Sequence, residues 1–252
     1  MPGLTANIVE RAMRVIAATL AAGRLRTIAN GVANLPERGP AVIVARHYHH
    51  LFDGLMLFAA IQRGFHIVVT LDWVTSNRTK LFMFWLNRMA RWPMLLRSDA
   101  LIRPAHLPRA LFARRDVVRY QRKALREAVA LLMEGEILVI FPEGYPNVDP
   151  VYTPKTEPDE FLPFRPGFLN ILGAAETRLG KKIPIIPAGL RYQPGKTWIG
   201  HLSFGEAVYR DDVTGRAELI QRLETAVKNL SGVVVELQTS ALPGTALKRN
   251  HR

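Results

Sequence analysis

The chain contains no cysteine, which excludes disulfide frameworks, thiolate zinc sites and a cysteine nucleophile. Such a chain suits a reducing compartment. Acidic residues are scarce beside basic ones: 21 Asp and Glu stand against 34 Lys and Arg, a formal charge of +13. That balance implies a polyanionic partner, whether nucleic acid, an anionic bilayer surface or a phosphorylated small molecule. Zinc-finger spacing, an RNP-like aromatic motif and a helix-turn-helix pattern are all missing, so nucleic acid is not expected among the partners. Apolar runs long enough to span a bilayer, roughly 18 to 20 residues, are missing too. Nor is a signal peptide expected, because Glu10, Arg11 and Arg14 interrupt the place where its apolar region would begin.

What is present is ample apolar material: 48% of 252 residues are hydrophobic, enough for one substantial core. Residues 8 to 23 place Val9, Met13, Ile16 and Leu20 on one helical stripe with Arg11 and Arg14 elsewhere, a pattern shared by interfacial anchors and ordinary packing helices. Turn-rich NLPERGP then leads into AVIVA (41 to 45), which reads as a buried strand. Helices are expected over 54 to 62, 78 to 91, 116 to 136, 166 to 179 and 216 to 230. Strands are expected over 65 to 71, 136 to 141 and 181 to 192, with one or two more over 197 to 208. Strands alternating with helices predict an α/β fold: a single domain with a mixed, mostly parallel central sheet flanked by helices. The expected divisions are an N-terminal amphipathic segment (1 to 29) with possible membrane contact, a main domain (30 to 235) and a basic tail (236 to 252). In 81 to 97, Phe82, Phe84, Trp85 and Trp92 alternate with Arg88, Arg91 and Arg97, a mixture suited to an anionic headgroup boundary.

The chemistry-bearing stretch is RHYHHLFDGLML (46 to 57), with three histidines and an aspartate within seven positions. It reads as a base with its orienting acid, as a metal site, or as a histidine-rich helix start. Metal is disfavoured, because neither HExxH nor a His-x-His-x-Asp-His order occurs. The cluster sits where a strand hands over to a helix, as do PEG (142 to 144) and the loop before Gly167. Open α/β sheets bind ligands at such carboxyl ends.

Four segments share one further property. GVANLPERGPAVIVARHYHHLFDG resembles the opening block of the PlsC-type glycerolipid acyltransferase family, a glycine and proline lead-in and an apolar strand before a His/Asp pair. FPEGYPN (141 to 147) is similar to that family's Phe-Pro-Glu-Gly-Thr-Arg-Ser block at its first four positions. FRPG (164 to 167) resembles its phenylalanine-basic-x-glycine step, and IPIIPAGL (183 to 190) its proline-rich strand. The resemblance covers roughly residues 30 to 210, with the blocks in family order.

It implies an acyltransferase that moves a fatty acyl group from acyl-CoA or acyl carrier protein to a hydroxyl of a lysophospholipid, glycerol phosphate or related lipid alcohol. No cofactor or metal is implied. A neutral imidazole would take the alcohol's proton, held in its tautomer by a carboxylate. The family places four residues between its histidine and its aspartate, but counting back five from Asp53 lands on Tyr48. Helical geometry puts His49 and Asp53 at i and i+4 and His50 at i+3, while His47 could pair through a turn with one extra residue. His49 is therefore placed ahead of His47, and the choice stays open. Pro142, Glu143 and Gly144 correspond to the acceptor-binding turn. Tyr145, Pro146 and Asn147 replace Thr-Arg-Ser, so Arg97, Arg103 and Arg165 are the candidate cations for an acceptor phosphate. Backbone amides near the helix start or the 142 to 144 turn are candidate oxyanion donors. The loop 145 to 163 is longer than the family's usual connection, as a lid or a solvated insertion would be. A peripheral position on the cytoplasmic face of a membrane is expected. A degenerate lipid-binding protein of the same fold is the rival reading.

Overall fold

The computed structural model describes residues 2–99, 111–157 and 159–232, with side chains from Val9 onward. Arg103 and the basic tail from 236 lie outside the described residues. In chain order the elements are α1 (Pro2–Ala21), β1 (Leu25–Asn30), β2 (Ala41–Ala45), α2 (Phe52–Ala60), β3 (Phe65–Ile67), β4 (Val69–Thr70) and α3 (Asn77–Ala90). There follow β5 (Met94–Leu95), α4 (Arg114–Met133), β6 (Ile137–Ile140), α5 (Phe168–Leu179), β7 (Ile185–Gln193), β8 (Trp198–Phe204) and α6 (Arg216–Leu230).

Six strands form one sheet in the order β1-β8-β7-β2-β6-β3. All neighbours are parallel except β7 and β8. Every residue of β2 and β6 is buried, which explains why both read as unbroken apolar runs: a parallel strand covered on both faces has no polar side. Alternate residues serve opposite layers. Ile43, Ala45, Ile137 and Val139 pack with α1 and α2, including Ala17, Leu55 and Met56. Val42, Val44, Leu138 and Ile140 pack under α4, α5 and α6, including Val129, Leu172 and Leu223. Full burial of one such side chain contributes about 1.5–3 kcal/mol, so the sandwich is held mainly by these two layers. A smaller cluster of Leu71, Val74, Met94, Leu96 and Phe112 joins the two-stranded β4-β5 sheet to Val117 on α4.

Two local results differ from the sequence pattern. The run 65 to 71 is not one strand: Val68 N–H still reaches Val139 O, but β4 then leaves the main sheet to pair with β5. And β1, which crosses the expected boundary at residue 30, joins the sheet at its edge. In α1, Ala17 faces the core while Ile16 and Leu20 are exposed. Arg14 docks this helix, donating to the carbonyls of Phe58, Ile61 and Arg63 around the C-terminus of α2 and bridging Glu10. Those carbonyls would otherwise lack helical partners.

Candidate active site

The site lies at the carboxyl ends of β2, β6 and β7. Residues 46 to 48 leave β2 as irregular chain, and His49 forms a parallel bridge with Val148 of the 145–163 loop. The helix α2 begins only at Phe52, so helical spacing does not govern the pairing of this stretch. Instead the chain turns back on Asp53, and it is His47 whose ring meets the carboxylate, Nδ1 lying 2.8 Å from Oδ2. The order expected from helical spacing is thereby reversed: the extended turn supplies the one extra residue that His47 needs.

Asp53 is buried and fully engaged. Oδ2 also accepts the Tyr48 N–H at 2.8 Å, while Oδ1 accepts the His49 N–H at 3.0 Å and the Tyr192 hydroxyl at 2.5 Å. A carboxylate receiving that many donors sits favourably at the first turn of α2, where the helix dipole favours negative charge. Tyr192 keeps its proton, because burial first and the Asp53 charge second push its phenol well above the usual range. With Asp53 as acceptor, a neutral His47 donates from Nδ1 and keeps its lone pair on Nε2. Among the described residues nothing bonds that nitrogen, and the ring, stacked on Phe141 at 4.4 Å, is 19% exposed.

His49 does something else. Its Nδ1 accepts the N–H groups of Leu51 and Phe52, each at 3.2 Å, so the imidazole caps the start of α2. Its ring is stacked on Phe52, with Trp198 edge-on. Burial, helped by His50, lowers its pKa to about 4, so it is a neutral cap. His50 lies exposed, with its Nδ1 3.2 Å from Val148 O.

The turn after β6 carries Glu143 inward. Glu143 points beneath His47, not into open space: Oε1 accepts the His47 N–H at 2.9 Å, and Oε2 accepts Leu162 N–H at 3.0 Å and Lys155 Nζ at 2.6 Å. Pro142 is buried, its carbonyl taking the Arg165 N–H at 3.0 Å. Gly144 holds φ +78°, and an added Cβ would stand 3.1 Å from Arg165 Nε. Several of the candidate oxyanion amides already have partners. Glu143 takes that of His47, Asp53 those of Tyr48 and His49, Val148 O that of His50, and His49 Nδ1 those of Leu51 and Phe52; Gly144 N–H goes to Phe141 O.

The two described candidate cations both have carboxylate partners. Arg97 donates Nε to Asp72 at 3.1 and 3.0 Å and reaches Gly144 O with a terminal nitrogen. Arg165 makes a bidentate pair with Asp99 at 3.1 and 2.9 Å, which holds the Asp99 carboxyl well below its usual range. Both lie against Tyr145, with Arg97 3.8 Å and Arg165 5.5 Å from its ring centre and its hydroxyl on Asp99 at 2.8 Å. So Tyr145, where the resemblance calls for threonine, packs against two compensated guanidiniums. Among the described residues no group of three or more His, Asp and Glu is placed to hold a metal ion.

Lys155, Tyr192, Asp72 and Asp99 were not foreseen. Tyr192 ends the strand expected over 181 to 192, and Lys155 lies in the loop already noted as long, but nothing local marks either.

The structure is an α/β fold with a His/Asp pair at its sheet ends and a buried tyrosine hydroxyl on the same carboxylate. A family model described as Acyltransferase matches residues 26–191. The chain therefore belongs to the acyltransferase family. Among solved structures it is similar to the 1-acyl-sn-glycerophosphate (LPA) acyltransferase PlsC of Thermotoga maritima, with a TM-score of 0.55 and 19% identity over 93% of this chain and 80% of that one. At that identity the likeness is one of fold, a mostly parallel sheet flanked by helices. No curated protein matches.

Proposed function

We propose that the protein transfers a fatty acyl group from a thioester, acyl-CoA or acyl carrier protein, to a hydroxyl of a glycerolipid or related lipid alcohol. The observation that carries this reading is the His47 Nδ1 to Asp53 Oδ2 contact at 2.8 Å, with Nε2 left to act. In the proposed step Nε2 takes the alcohol proton as the oxygen attacks the thioester carbonyl; the C–O bond forms, the C–S bond breaks, and the proton leaves on the thiol. Asp53 stabilises the imidazolium between those events. No acyl-enzyme and no cofactor enter.

Acceptor binding is assigned to the region around Gly144, Arg97 and Arg165. Because both guanidiniums already face carboxylates, an acceptor phosphate would have to compete with Asp72 or Asp99. Neutral lipid alcohols therefore belong in any acceptor panel beside lysophosphatidate, the substrate in the name of the Thermotoga relative.

A peripheral membrane position is part of the proposal. Support comes from exposed Leu81 (69%), Phe82 and Trp85 (61%) on α3 and Val15 and Ile16 on α1, with exposed Arg78 and Arg88 beside them. Among the described residues no helix is long and apolar enough to cross a membrane.

The test is a mass-spectrometric transfer assay with acyl-CoA or acyl carrier protein and a panel of lysophospholipids, glycerol phosphate and neutral alcohols. One acylated product, lost in His47→Ala and Asp53→Asn, is the expected result. No product with either donor sinks the enzyme reading and leaves a lipid-binding protein of the same fold.

A further inference from the structure

The 145–163 loop carries a charge to an unusual place. Lys155 emerges from a loop held by several bonds: Thr153 Oγ1 accepts its N–H at 3.2 Å, Asn147 Nδ2 ties down Glu157 O and Glu160 O, and Val148 pairs with the chain at 48 to 50. From there the side chain runs inward until it is 0% exposed. Its ammonium has three partners in reach, matching its three protons: Glu143 Oε2 at 2.6 Å, His47 O at 2.9 Å and Asn147 Oδ1 at 3.0 Å. Burial of a lysine is costly, and desolvation lowers its pKa despite Glu143. A surface loop has no packing need for such a residue.

The pair's other contacts explain the placement. Glu143 holds the peptide N–H of His47, and Lys155 holds the peptide carbonyl of the same residue. One buried ion pair thus grips His47 at both ends of its backbone while Asp53 grips its ring. We propose that Lys155 is a positioning residue for His47, so that the long loop, through this one side chain, is a working part of the proton-transfer apparatus. This rests on the proposed role of His47 as base.

The other groups around this spot are Asp53 from α2, Tyr192 from β7, Arg46 at the end of β2 and His49. These are unchanged in the variants below. Lys155→Met removes the cation and leaves Glu143 negative beneath His47; Glu143→Gln does the reverse. Opposite charge changes at one point must move the protonation of His47 in opposite directions, which mere loosening of a loop would not do.

The experiment is a 15N-histidine NMR titration of His47, assigned by loss of its signal in His47→Gln, in the wild type, Lys155→Met and Glu143→Gln. It is accompanied by kcat and KM on whatever acceptor the transfer assay finds. The His47 titration midpoint should rise in Lys155→Met and fall in Glu143→Gln. In Lys155→Met, kcat should drop at least about 30-fold with acceptor KM within about threefold. Should either single variant fail to fold, the neutral double variant Glu143→Gln/Lys155→Met leaves no uncompensated buried charge; it should fold with a lowered kcat and restored midpoint. Midpoints that stay put or move together in the folded variants overturn the proposal, and so does an unchanged kcat in a folded Lys155→Met. An inactive wild type would count against the proposed function alone, since the titration does not depend on turnover.

Discussion

His47, Asp53 and His49 sit within seven positions and do two unrelated jobs. Replacing Asp53 with Asn removes the acceptor that fixes the His47 tautomer, so kcat/KM should fall at least about 100-fold, in the range general-base loss produces, with circular dichroism unchanged. His49 makes the contrary prediction. An Asn there can still cap α2, so His49→Asn should retain activity within a few-fold in the same assay. The pH dependence of stability separates them further. Because the folded His49 titrates at about 4 and a free histidine near 6.5, the unfolded chain takes up a proton between those values that the native state refuses. Stability should therefore be flat above about pH 7 and fall by up to about 1.4 kcal/mol per pH unit on descending from 6.5 toward 4. Urea midpoints across that range should show the slope in the wild type and less of it in His49→Asn. The residue scale is also where the sequence was least legible. The presence of a His/Asp pair was readable from the motif, but the partner histidine depended on where α2 starts. That start is set by the His49 cap and the pairing with Val148, a residue about a hundred positions away.

Most elements were written in the pattern, and the exceptions have physical causes. AVIVA coincides with β2 because burial on both faces leaves no ambiguity, and α4 shows its charged face and its glycine stop. β1 was not foreseen: LRTIAN carries Arg26, Thr27 and Asn30, as an edge strand with one wet side can. Its exit is fixed by Gly31, at φ +67°, where an added Cβ would stand 2.1 Å from the Phe204 carbonyl oxygen. Gly31→Ala combines a left-handed penalty of about 1–2 kcal/mol with that backbone collision, so the loss of unfolding free energy in urea should exceed about 2 kcal/mol. The docking of α1 offers a gentler test. Arg14→Ala frees three carbonyls at the end of α2, and hydrogen exchange should quicken over α1 and α2 while the amides of β2 and β6 stay protected.

For the whole molecule, fold class followed from the alternation of strands and helices, and the four ordered blocks pointed to the family that the chain belongs to. Charge did not localise anything, because +13 is a sum and says nothing of where cations are compensated, as Arg97 and Arg165 are. The proposed membrane face can be tested at this scale. Leu81→Glu/Trp85→Glu should weaken co-sedimentation with anionic vesicles at least tenfold and leave transfer to a detergent-dispersed acceptor within a few-fold; unchanged sedimentation would count against that face. The sheet order has a temporal consequence as well. β1, synthesised well before β8, pairs with it residue for residue, from Leu25 against Trp198 to Asn30 against Ser203. The first strand must wait for the last, since chain closure over such a span is slow and the partner does not yet exist. On the ribosome, β1 thus stays without its strand partner until residue 204 has been made, whereas α1 can dock on the end of α2 much earlier through Arg14.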